Sequence, residues 1–201
     1  MKRIGLTGGI GCGKSAAAAY FRDAGIPVID ADGVGHILLD GDAETRAAVV
    51  AAFGDNVIGE DGAIARDRLA AHVFSDAAAR AQLNAILHPA IINTVSRQCA
   101  ALEEEGRHVV IIEAALLGEH GRREPWLTGL ILVLASEETR INRLVQNRRF
   151  SREEAQRRIA AQTPPESKRP IADWIIQNDG DMQTLRQQVE KLVAELTTPE
   201  G

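Results

Sequence analysis

The sequence predicts an α/β fold: a three-layer arrangement with a parallel β-sheet core, a helical insertion after the second strand and a small Arg-rich lid after the fourth. Three observations predict it. Short apolar runs at 4–7, 27–30, 108–112, 130–134 and 174–177 lack the polar alternation of half-exposed strands, as strands buried on both faces require. A helix-prone segment joins the first run to the second within thirty residues, a βαβ unit with its right-handed crossover. Between that first strand and helix, Gly8 to Ser15 reads Gly-Gly-Ile-Gly-Cys-Gly-Lys-Ser, which fits G-x-x-x-x-G-K-[ST] in its strand–loop–helix setting.

Each element follows from its residues. The glycines of the loop let the backbone curl with its N–H groups inward, around an anion that also sees the positive end of the helix Ala16–Asp23. Lys14 then reaches the β- and γ-phosphates, and the Ser15 hydroxyl takes a place on Mg²⁺. Ala24-Gly25 stops the helix, and Pro27-Val28-Ile29-Asp30 forms the second strand. Asp30 and Asp32 fall at its carboxyl end, the ligand edge of an open α/β sheet. One of them also suits the N-cap of a helix from Gly33 to Leu39.

From Asp42 to Glu105 the pattern is helical, with Ala47, Val50, Ala51 and Phe53 predicted on one apolar face and Leu69, Val73, Leu83, Ile86 and Leu87 on others. His88-Pro89 is predicted to open a helix, with His88 in extended backbone; His88 reads equally as a packing residue or a ligand contact. The third and fourth strands end in Glu113 and Ser136-Glu137-Glu138, and the charged loop from Gly118 to Pro125 between them carries Glu119 and His120 as candidates. The segment 136–169 is the most basic in the chain. It is predicted as two short helices, with a break at 147–150 and a capping box at Ser151-Arg152-Glu153-Glu154. The strand Trp174–Gln177, a turn at Asn178-Asp179-Gly180 and a closing helix from Asp181 to Leu196 complete the chain.

Composition narrows the function. A net charge of −5 excludes a general electrostatic grip on nucleic acid, so any affinity for anions must be local. Cys12 and Cys99 are not spaced as a disulfide framework or a metal site, which points to a reducing cytoplasm. No apolar run approaches the roughly 18 residues of a membrane span, and the chain enters a strand without a signal-peptide core. No membrane, nucleic-acid or obligate protein partner is expected. Asp32-Gly33-Val34-Gly35 formally matches the D-x-x-G of GTPases. It lies too near the loop to be a third-strand switch, and no Asn-Lys-x-Asp follows a later strand, so that match is set aside. A small chain with a helical insertion and an Arg-rich lid favours an ATP-dependent kinase of a small molecule, in which the protein positions donor and acceptor and neutralises charge.

The chain resembles the dephospho-CoA kinase family over nearly its whole length. The resemblance is carried in order by Leu6 to Ser15; Val28-Ile29-Asp30-Ala31-Asp32; Phe53-Gly54 with Asp61-Gly62 and Arg66; Val73-Phe74 with Leu87-His88-Pro89-Ala90-Ile91; and Ala172-Asp173 with Ile176 and Asn178. It implies a P-loop kinase fold and ATP- and Mg²⁺-dependent phosphorylation of the ribose 3′-hydroxyl of dephospho-CoA. By that likeness Asp32 is the general base, Lys14 and Arg143 face the triphosphate, and Arg66 and His88 hold the CoA portion together with Asp32. Gly9, Gly11, Cys12, Gly13, Lys14, Ser15 and Ala16 cradle the nucleotide, and Asn178 lies toward its adenine end. The implied organisation is a nucleotide-binding core of 1–31, 106–135 and 170–201, a helical CoA-binding lobe of 32–105, and a lid of 136–169.

The chain departs from the family pattern at Ala115-Leu116-Leu117-Gly118-Glu119, where Pro-Leu-Leu-Phe-Glu is usual. It departs again at Arg140 for glutamine, at Asn147 for a second lid arginine with Arg148 beside it, and at Ala16 for threonine. Two rival readings stand beside the resemblance: a kinase of another small acceptor such as a nucleoside or nucleotide, and a non-catalytic ATP-binding paralogue with a regulatory role.

Overall fold

The five apolar runs form strands β1 (Lys2–Thr7), β2 (Val28–Asp30), β3 (Val109–Glu113), β4 (Gly129–Leu134) and β5 (Trp174–Gln177). In the computed structural model, which describes residues 1–59, 61–74, 76–119 and 121–198 and only the backbone of Phe74 and Ala77, they pair in parallel in the order β2-β3-β1-β4-β5. Every residue of β3 and β4 is buried, which is why these two strands read as unbroken apolar runs. The registers Leu6↔Glu113 and Asp30↔Glu113 bring the carboxyl ends of β1, β2 and β3 level. The chain leaves β1 toward β2 on one side and returns from β3 to β4 on the other. Such a reversal of direction opens a crevice for ligands at the strands' carboxyl ends.

The chain divides into two compact units, one of Met1–Asp30 with the residues from Ala101 onward, the other Ala31–Ala100. In the first, α1 (Lys14–Asp23) and α8 (Met182–Thr197) cover one face of the sheet. Ala17, Ala18 and Phe21 of α1 and Leu185, Val189, Leu192 and Leu196 of α8 pack with Ile4, Leu6, Ile111, Ile131, Val133 and Ile176. On the opposite face Leu117 and Leu127 close over Gly5. Helices α6 (Glu137–Arg148) and α7 (Arg152–Ala160) form a separate small cluster of Ile141, Leu144, Ala155 and Ile159, onto which Ile10 of the glycine-rich loop packs.

The second unit holds α2 (Ala31–Gly41), α3 (Ala43–Phe53), α4 (Arg66–Phe74) and most of α5 (Ala77–Glu104), packed around Leu39, Val49, Val57, Ile64 and Leu69. Two expectations are corrected here. Pro89 does not open a helix but lies inside α5, and His88 is helical rather than extended. The start signal is instead Asp76, whose carboxylate accepts the N–H groups of Ala78 and Ala79. The helix then runs through Pro89 because Leu83, Ile86 and Leu87 before it pack on the unit's core; tertiary packing outweighs the lost backbone bond. On α3 Thr45 and Val49 are buried and the expected Val50 and Phe53 pack on the unit's core, while Ala47 and Ala51 are exposed. An alanine-rich helix has too little apolar contrast for its inward face to be read off its sequence. In the first unit α6 runs on to Arg148 and breaks at Arg149, which takes a left-handed φ of 57°. Among the described residues no helix is long and apolar enough to cross a membrane.

Candidate active site

The glycine-rich loop joins β1 to α1 at the carboxyl edge of the sheet. Gly13 caps α1 with φ 91°, a left-handed conformation that offers no side-chain cap and that a side chain would strain. Cys12 N–H closes the loop on Gly9 O at 3.1 Å. Lys14 and Ser15, the first two residues of α1, both turn to one atom: Lys14 Nζ is 3.1 Å and Ser15 Oγ 2.9 Å from Glu113 Oε1. Arg22 approaches the other oxygen of that carboxylate at 3.9 Å. Glu113 is only 5% exposed, and burying a carboxylate to that degree is costly without such cationic and hydroxyl partners. Its place at the end of β3 marked it in the sequence as a ligand-edge residue; its convergence with Lys14 and Ser15, nearly a hundred residues away, was not legible there.

The outer side of the loop is held by side chains from α6 and from the turn after β5. Arg143 Nη1 donates to Gly11 O at 3.5 Å and Cys12 O at 3.4 Å, and its Nη2 to Asn178 Oδ1 at 3.3 Å. Asn178 Nδ2 donates to Cys12 O at 2.8 Å, and Gln162 Oε1 accepts from Ile10 N–H at 2.8 Å. The Cys12 thiol within the loop is buried, and burial pushes its pKa up against the pull of the Arg140 guanidinium.

The family model described as dephospho-CoA kinase matches residues 2–184. The chain belongs to the dephospho-CoA kinase family. A dephospho-CoA kinase from Shouchella clausii is 37% identical over 196 residues, covering 96% of this chain and 97% of the relative. The crystal structure of TT1252 from Thermus thermophilus superposes with a TM-score of 0.82 at 35% identity, covering 98% of each chain. A dephospho-CoA kinase from Campylobacter jejuni superposes with a TM-score of 0.62 at 26% identity, covering 97% of each chain. The chain shares its α/β fold with these two solved structures.

Of the site residues named from the sequence, Gly9, Gly11, Cys12, Gly13, Lys14, Ser15, Ala16, Arg143 and Asn178 lie in or against the loop within the first unit. Asp32, Arg66 and His88 belong to the second. Asp32 stands in the first turn of α2, two residues beyond the end of β2. Arg66, at the start of α4, forms a two-pronged ion pair with Asp40. His88 is exposed at mid-helix on α5.

The segment after β3 departs from the family pattern, and the geometry supplies a reason for part of it. Gly118 takes φ 74°, a left-handed conformation that strains any L side chain, and a Cβ there would lie 2.7 Å from the terminal methyl of Ile171, which would have to shift. The segment is held from beneath by Lys168, whose Nζ donates to Ala115 O at 3.0 Å and pairs with Glu119 Oε1 at 2.8 Å. Thr7 Oγ1 donates to Ala115 O at 3.1 Å. In the sequence Lys168 is one cation among several in the basic segment 136–169. His120, the other candidate in this loop, lies outside the described residues.

Proposed function

We infer that this chain transfers the γ-phosphoryl group of ATP to the ribose 3′-hydroxyl of dephospho-CoA, giving CoA and ADP, the last step of coenzyme A synthesis. The observation that carries this reading is the convergence of Lys14, Ser15 and Glu113 beside a glycine-rich loop, in a chain whose family model spans nearly its full length. The loop's inward N–H groups and the amino end of α1 would receive the phosphates. Lys14 would move from Glu113 to the transferring group and balance its charge in the transition state. Arg143, already against the loop, would add to that balance.

Asp32 is assigned the general base. It follows the carboxyl end of β2, which is level with Glu113 through the Asp30↔Glu113 pairing. It would take the proton of the 3′-hydroxyl as that oxygen bonds to phosphorus and the bridging oxygen leaves on ADP. Arg66 and His88 are assigned to the acceptor side, with 32–105 as the acceptor lobe and 136–169 as the lid. The Ser15 hydroxyl and the buried Glu113 carboxylate, 2.9 Å apart, are oxygen donors of the kind a hard cation prefers, so they fit Mg²⁺. Among the described residues no three His, Cys, Asp or Glu side chains form a metal cage. A cation held by two protein oxygens and the phosphates needs none. When bound, Mg²⁺ would offset the charge on the phosphate oxygens. Two buried cysteines suit a reducing cytoplasm.

The test is a coupled ADP-release assay with dephospho-CoA set against a panel of nucleosides and nucleotides. Turnover on dephospho-CoA is expected. Turnover on a nucleoside alone would replace the acceptor, and nucleotide binding without turnover on any acceptor would make the chain a binding protein.

A further inference from the structure

Arg140 projects from the first turns of α6 into the back of the glycine-rich loop. It is 4% exposed, and its Nη2 is buried without a hydrogen-bond partner among the described residues. Its Nε donates to Ile10 O at 2.9 Å. A Cβ built on Gly9 would lie 2.8 Å from Nη2 and 3.2 Å from Cζ, and one on Gly11 would lie 2.9 Å from Arg140 O. The residue therefore runs under the loop from Gly11 to Gly9 with no side chain between them.

Arg140, Arg143 and Asn178 together hold three successive carbonyls, those of Ile10, Gly11 and Cys12. In a planar trans peptide the N–H of the next residue points opposite to the carbonyl. Anchoring Ile10 O and Cys12 O on the outer side thus turns the Gly11 and Gly13 N–H groups toward the inner one. A guanidinium is permanently charged, and a buried cation with an unmet donor is costly unless an anion lies near. The guanidinium lies directly against the loop backbone at Gly9.

We propose that Arg140 is a positioning residue for the nucleotide: it sets the loop through Ile10 and adds a buried positive charge, one of its N–H groups unmet among the described residues, that a bound di- or triphosphate balances. The inference rests on the reading that this loop binds nucleotide phosphates. Arg140 acts through the loop and through space, so its removal weakens nucleotide binding and leaves the acceptor untouched.

The experiment compares wild type, Arg140→Gln and Arg140→Lys in calorimetric titrations with ADP at several salt concentrations, alongside KM for ATP and for dephospho-CoA. For Arg140→Gln the ADP dissociation constant and the ATP KM are expected to rise roughly tenfold. Its salt dependence should flatten and its dephospho-CoA KM should hold. Arg140→Lys, which keeps the charge, should recover most of the binding and stands as the test variant should Arg140→Gln not fold. Wild type and Arg140→Gln binding ADP equally well would overturn this inference alone, as would Arg140→Lys binding more weakly than Arg140→Gln. A wild type that takes up no ADP would overturn the loop reading itself.

Discussion

Lys14 Nζ rests 3.1 Å from Glu113 Oε1, on a carboxylate that is itself buried at the end of β3. The ammonium is thereby held in place at the loop by a neighbouring strand, and the carboxylate depends on it for charge compensation. Lys14→Ala removes both functions. The turnover number should fall on the order of 10²-fold or more through lost transition-state stabilisation. Stability should fall by roughly 1–3 kcal/mol through the weakened environment of Glu113. Steady-state kinetics and denaturant unfolding read the two effects separately; full activity would remove Lys14 from the chemistry.

Asp32 lies in the first turn of α2, directly after the strand whose end is level with Glu113. Asp32→Asn keeps the shape of the side chain and abolishes its capacity to accept a proton. The turnover number should drop by about 10²–10⁴-fold, the range for general-base catalysis, while ADP binding measured by calorimetry stays close to wild type. An unchanged turnover number would clear Asp32 of the base role.

The parts of this molecule that the sequence made legible are those set by local chemistry. Continuous apolar runs marked β3 and β4 because both faces of those strands are covered, and the glycine spacing marked the loop because backbone curvature demands it. Ser151 reads as a cap because the bond it accepts from Glu154 N–H, 3.1 Å long, spans three residues. What escaped were meetings between distant positions. Glu113 with Ser15 are 98 residues apart, Asn178 with Cys12 are 166 apart, and Lys168 with Thr7 are 161 apart. No local pattern encodes such pairs; the sheet order creates them. Pro89 shows the converse failure, a strong local signal overridden by the packing of Leu83, Ile86 and Leu87 on the unit's core.

Asp179 ties the end of β5 to the start of α6. Its carboxylate accepts from Gln177 Nε2 at 2.6 Å, Ser136 N–H at 2.8 Å and Thr139 Oγ1 at 2.9 Å. These bonds, that of Gln177 foremost, hold its pKa well below the usual carboxylate range. A carboxylate depressed on folding contributes stability that is fully present above the unfolded value, about 3.9, and is lost as pH falls through the folded one. Asp179→Asn should therefore lower Tm at pH 7 by roughly 2–4 °C. The gap from wild type should stay constant from pH 8 to about 5 and narrow below about pH 4. A gap that widens on acidification would show that the charge of Asp179 is not what stabilises this turn.

Lys168 is a second buried cation, with 3% of its surface exposed. It reaches from the short 3₁₀ helix Pro165–Ile171 to Thr7 Oγ1 at 3.4 Å, Ala115 O at 3.0 Å and Glu119 Oε1 at 2.8 Å. It thus fastens the segment after β3 to the end of β1. Lys168→Met preserves the stem and deletes the charge, leaving Glu119 without its cation and Ala115 O without that donor. Removing one member of a buried pair costs about 3–5 kcal/mol; Glu119 is partly exposed, with 29% of its side chain accessible. The expected loss is accordingly smaller, about 2–3 kcal/mol. At about 2–4 °C per kcal/mol for a domain of this size, Tm should fall by roughly 4–12 °C. If the unmatched carboxylate is the cause, adding Glu119→Gln to Lys168→Met should return part of the loss, since residues in direct contact couple. Two purely additive losses would instead assign the role of Lys168 to its packing and its bond to Ala115.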